Sequence, residues 1–144
     1  MSIRELQALA YKQSADKGFH DDEPTEGRAL LSLNAERIAL IHSEASEALE
    51  ELRSGHAVNE TYYPDPQLPA SLVHEAGVEK ARELMLAYVA DKPRKPEGVP
   101  SEMADIVIRV LDFCASNDID LESIITEKLA YNATRGRKHG GKEF

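Results

Sequence analysis

Acidic side chains at helical spacing are the most chemically informative feature of this sequence. Glu102, Asp105, Arg109 and Asp112 step by three, four and three, so on a helix they form one stripe. The residues between them (Met103, Ile106, Val107, Ile108, Val110, Leu111, Phe113, Cys114) are apolar on most sides. A rod of that composition belongs among other helices, where uncompensated carboxylates cost several kcal/mol. They need a cation, supplied by Arg or Lys or by a metal. Glu44, Glu47 and Glu51 make a second stripe at steps of three and four. At 100° per residue they flank the Ile41/Ala45/Leu52 face, so two helices meeting at a seam could converge four or five carboxylates. Hard oxygen donors without Cys ligands or matched His spacing select Mg²⁺, or Mn²⁺, over zinc. Plainer readings exist for both stripes. ASEALEELR also reads as a solvated amphipathic face, and Arg109 could pair Asp105 and Asp112 in a buried ladder.

Cations follow the carboxylates. Leu121, Ile125, Lys128, Asn132 and Arg135 lie on one helical line, apolar at its start and polar at its end. Arg135, Arg137, Lys138 and Lys142 then gather four positive charges within eight residues, beside Gly140-Gly141. Carboxylates for a metal, followed by Lys and Arg on a glycine-rich tail, suit a phosphate chain bridged by Mg²⁺. The tail is expected to order over such a chain; its plainer reading is a solubilising end. No Walker or dinucleotide-type glycine loop and no GxSxG occurs. Cys114, inside the apolar run, reads as packing rather than nucleophile. His42, His56 and His74 show no partner spacing.

Helices must position these groups, because strand alternation is absent and helix formers dominate. Ser2 and Glu5 have capping-box spacing ahead of a helix reaching about Lys17, with Gly18 as its left-handed stop. FHDDEPTEGR is a turn-rich loop carrying Phe19 and His20. A second helix is expected over about 30–53, with Ile38, Ile41, Ala45, Ala48, Leu49 and Leu52 on its apolar face. GHAVNETYYPDPQLPAS is loop, a third helix covers about 72–90, and KPRKPEGVP is a stiff connector. The fourth helix spans about 101–116, and Asp120 caps a fifth that runs to about Thr134. The expected fold is an all-α helical bundle of four to five helices in a single domain over 1–144, completed by oligomerisation.

The whole-chain balance narrows the partners. The 144 residues carry 17 Lys and Arg against 26 Asp and Glu, a net charge of −9. Nonspecific binding to a nucleic-acid polymer depends on many cations and is not expected. One cysteine allows no internal disulfide and no Cys-based zinc site. With no signal-like start and no apolar run near the roughly 20 residues a bilayer requires, a cytoplasmic protein with no membrane partner is expected.

Glu44-x-x-Glu47 followed by Glu102-x-x-Asp105 resembles the paired carboxylate motifs of the MazG-like all-α nucleoside triphosphate pyrophosphohydrolases. The likeness is best over SEASEALEELR and over GVPSEMADIVIRVLDFCASNDIDLESIITEKLAYNATRGRKHGGK. It implies Mg²⁺-dependent cleavage of a nucleoside or deoxynucleoside triphosphate to the monophosphate and pyrophosphate, as nucleotide-pool housekeeping by a homodimer or homotetramer. Glu44, Glu47, Glu102 and Asp105 take the metal positions. Arg109, Lys128 and Asn132 take substrate-contact positions, with Arg135, His139 and Lys142 on the phosphates. Phe19 and His20 resemble a segment that packs on base or sugar, and Glu47 or Glu51 would accept the proton from water. One departure stands out: 54 residues separate Glu47 from Glu102, more than is usual in the family. The surplus is an inserted loop and helix at about 56–99. The rivals are a phosphoribosyl-ATP pyrophosphohydrolase and a non-catalytic helical scaffold with salt-bridged stripes. A di-iron bundle is weaker, lacking Glu-x-x-His pairs.

Overall fold

Ser2 and Glu5 cap one another. The Glu5 N–H donates to Ser2 Oγ at 3.1 Å, and the Ser2 N–H donates to Glu5 Oε2 at 2.6 Å. This reciprocal cap starts α1 (Ile3–Asp16) at the expected place, and Gly18 follows the helix at φ 85°. The computed structural model describes residues 1–137, and within them the chain is all-α. His139 and Lys142, together with Lys138 and Gly140-Gly141, lie outside the described residues.

Six helices occur among the described residues, rather than four to five. The single helix expected over about 72–90 is two, α2 (Gly27–Arg53) being followed by α3 (Ala70–Ala76) and α4 (Val78–Val89). Gly77 stands between the latter pair at φ 83°, a conformation that ends one helix and starts the next. α5 (Val99–Ser116) begins two residues before the expected Ser101. Pro100 falls in its first turn, where a missing N–H breaks no helical hydrogen bond. Asp120 caps α6 (Leu121–Ala133) as expected, accepting from the Ser123 N–H at 3.2 Å.

The chain divides into two compact units. The first takes in Met1–Ser43 and the described residues from Asp105 onward. Arg4 ties α1 to the start of α6, reaching Asp120 at 3.1 Å and Glu122 at 3.0 Å. Gln7 Nε2 donates to the Ile119 carbonyl at 2.8 Å. Asn34 and Asn117 exchange amide hydrogen bonds at 2.9 and 3.0 Å, joining α2 to the end of α5. Ala10, Leu111 and Cys114 are buried here, and burial pushes the Cys114 thiol above its ordinary pKa.

The second unit spans Glu44–Ala104. Ala48, Ala81 and Val99 form its buried apolar part. An isolated antiparallel bridge joins Tyr62 to Glu97, with N–H to carbonyl distances of 3.1 and 2.8 Å. Arg94 Nη2 donates to the carbonyls of Tyr63 and Pro64 at 2.8 and 2.6 Å, so the proline-rich loop is pinned rather than loose. Gly98 sits at φ 110°, and a Cβ there would fall 2.3 Å from the Glu60 carbonyl oxygen. Only glycine fits that approach.

α5 differs from a helix with its apolar sides enclosed. Glu102 is 4% exposed, whereas Val107 is 53% exposed, with Met103 and Ile108 similarly open. α2 behaves alike: Ala48 and Glu44 are covered, while Ile38, Leu49 and Leu52 are exposed. Each helix thus buries one carboxylate among its few covered apolar residues, while much of the apolar face expected to be buried is open.

Candidate metal centre

Within the second unit, α2 places Glu44, Ala48 and Glu51 on one line at steps of four and three. Glu44 is 6% exposed, and one of its oxygens lies within 4.8 Å of one from Glu102. Glu51, Glu97 and Glu102 likewise bring one oxygen each within 4.8 Å of the others. Two carboxylates at that separation repel by about 3 kcal/mol at an effective dielectric near 20. A divalent cation between them reverses the sign, and an all-oxygen donor set suits Mg²⁺ or Mn²⁺. Asp105 follows Glu102 by one turn along α5 and belongs to the first unit. Glu47, a predicted ligand and proton acceptor, is exposed and joins no such acidic group among the described residues.

Glu97 is absent from the sequence-based expectations, as are the groups around Glu51. Tyr62 Oη donates to both Glu51 oxygens, at 3.1 and 3.0 Å. The His56 ring stacks on Tyr62 with centroids 4.4 Å apart and planes 11° apart. Its Nδ1 lies 3.1 Å from Glu60 and its Nε2 3.7 Å from Glu51. Burial, followed by the hydrogen bond to Glu51 and the charges of Glu51, Glu97 and Glu60, raises the Tyr62 pKa above its ordinary value. Lys95 pairs with Glu97 at 3.0 Å. The sequence gives no local sign of these contacts, because a backbone bridge across the loop creates them.

The first unit holds the remaining predicted residues that lie within 1–137. Phe19 is exposed, but the His20 side chain is only 5% exposed, and each ring nitrogen faces a carboxylate. Nε2 lies 2.8 Å from Asp112 Oδ1 and Nδ1 lies 3.1 Å from Glu23 Oε2. Tyr11 packs on the ring at 4.5 Å. Arg37 donates to Glu23 at 2.6 Å and also reaches the Phe19 carbonyl at 3.3 Å. Burial works to raise the Glu23 pKa, but hydrogen bonds and charge from Arg37 and His20 outweigh it and leave a net lowering. Asp112 has His20 as a partner, and Arg109 is exposed rather than buried. Along α6, Leu121 and Ile125 are half-buried while Lys128 and Asn132 are exposed, as is Arg135 just past the helix end. Lys128 Nζ stands 5.7 Å from the Tyr131 ring.

Comparison with known protein families, curated proteins and solved structures finds no match for this chain.

Proposed function

We propose that the chain is a Mg²⁺-dependent phosphoanhydride hydrolase. More specifically, it is a MazG-like pyrophosphohydrolase that converts a nucleoside or deoxynucleoside triphosphate to the monophosphate and pyrophosphate. The observation that carries this reading is the burial of Glu44 and Glu102 with their oxygens in mutual reach, joined at Glu102 by Glu51 and Glu97. Buried helix positions are ordinarily apolar; here one carboxylate on each of α2 and α5 shares them with Ala48, Val99, Leu111 and Cys114.

Glu44 and Glu102 would hold the ion, with Asp105 as the next acidic residue along α5 and Glu47 as the second member of its pair. Bound there, Mg²⁺ supplies charge neutralisation for the phosphates and makes water more acidic. Whichever of Glu47 and Glu51 the ion leaves free accepts the proton from the attacking water. The resemblance gives Lys128, Asn132 and Arg109 substrate-contact positions, and with Arg135 they are cationic and amide groups of the kind that suits a phosphate chain. The exposed apolar sides of α2 and α5 would be covered by further copies of the chain.

The scaffold reading draws on the ion pair between Lys95 and Glu97, which supplies a charge partner without a metal. A screen of nucleoside triphosphates and phosphoribosyl-ATP with Mg²⁺, reading pyrophosphate against orthophosphate, separates the readings. Pyrophosphate with a monophosphate is the expected product pair. Orthophosphate with a diphosphate would place cleavage at the γ-phosphate, and no turnover with no Mn²⁺ binding would favour the scaffold.

A further inference from the structure

We infer that Tyr62 is a positioning residue that presets the Glu51 carboxylate against Glu97 and Glu102 for a divalent cation; this rests on the metal-dependent reading above. The segment between α2 and α5 then forms part of the site rather than a remote insertion.

Three observations in the second unit converge on this. First, the phenol donates to both oxygens of Glu51, at 3.1 and 3.0 Å, so the carboxylate cannot rotate freely about its last torsion. Second, the Tyr62 ring is itself held by the His56 stack, and His56 is anchored through Nδ1 to Glu60. Third, the paired hydrogen bonds between Tyr62 and Glu97 fix the backbone of the tyrosine to that of another carboxylate in the group. Gly98 permits the approach, since no larger residue could pass the Glu60 carbonyl there. The bridge between these two segments thus sets both the placement of Glu97 and the orientation of Glu51.

Outer partners that orient a ligating carboxylate typically change metal affinity by about 10–100-fold when removed. The Tyr62→Phe substitution deletes the hydroxyl and keeps the ring for the stack. Mn²⁺ affinity measured by electron paramagnetic resonance should fall about tenfold, with helical content by circular dichroism unchanged. In a Glu51→Gln background the same substitution should change affinity less than twofold, because the group it orients has been altered. Equal losses in both backgrounds would overturn the inference and leave Tyr62 a packing residue. Unchanged affinity in Tyr62→Phe, while Glu102→Gln abolishes Mn²⁺ binding, would overturn it and leave the metal-dependent reading intact. A wild-type chain that binds no Mn²⁺ would overturn both. Should Tyr62→Phe lose helical content, His56→Gln asks the same question through the stack. It should lower Mn²⁺ affinity severalfold in the wild-type background but not in Glu51→Gln, and any other pattern overturns the inference.

Discussion

His20 and Asp112 lie 92 residues apart in sequence, and the His20 Nε2 stands 2.8 Å from the Asp112 Oδ1. The contact ties the turn after α1 to the middle of α5, and Glu23 and Arg37 complete the surroundings of the ring. A histidine aligned between two carboxylates and enclosed by Tyr11 is a structural hub. In this arrangement its ring nitrogens are already engaged.

That hub sets a pH dependence through Glu23. Its pKa lies below the ordinary 4.5, so its contribution to stability is fully present above that value. The contribution is lost as pH falls through the lowered folded-state pKa. Glu23→Gln should therefore destabilise the protein by about 1.5–3 kcal/mol at pH 7, the range for hydrogen bonds to charged groups. Urea titrations of the two proteins should converge as the pH falls through that lowered folded-state pKa, where the wild-type side chain also becomes neutral.

Glu102→Gln should cut Mg²⁺-dependent turnover by more than about a hundredfold, since it removes the carboxylate shared by both neighbouring acidic groups. The metal-free protein should melt roughly 2–6 °C higher, because neutralising one member of a close anionic set relieves repulsion. Calorimetry with and without Mg²⁺ checks both halves. A metal-free variant that melts lower would mean that Glu102 is held by stabilising partners and acts as a scaffold element.

Gly98→Ala should destabilise the second unit by at least about 2 kcal/mol. Strain at positive φ accounts for about 1–3 kcal/mol, and the Cβ collides with backbone rather than with a flexible side chain. Hydrogen exchange should report the loss at Tyr62 and Glu97, whose paired N–H groups depend on the same approach. Retained protection at those two amides would rule out this coupling.

Local rules carried the sequence reading furthest. The Ser2–Glu5 box, the Gly18 stop and the Asp120 cap each involve residues within a few positions, and each is found where spacing places it. Pro100 reads as connector in the sequence, although a first helical turn accommodates it. Gly77 was overlooked because apolar periodicity continues across it, while its backbone does not. At the candidate site, Glu44 and Glu102 were legible from helical steps. Glu97, Tyr62 and His56 were not, since their relation to Glu51 arises from a loop folding back, and no period records that. Glu23 and Arg37 were missed for the same reason: their common partner, His20, connects segments far apart along the chain.

The placement of Cys114 makes the chain its own kinetic sensor. It is the single thiol, buried on α5, and it is held less acidic than an exposed cysteine. A disulfide reagent reacts with thiolate, so modification in native buffer must wait for that stretch of helix to open. The ratio of the native labelling rate to that of the unfolded chain then gives the opening equilibrium directly. Repeating the measurement across ions and nucleotides would reveal which of them slows the opening, with no residue changed.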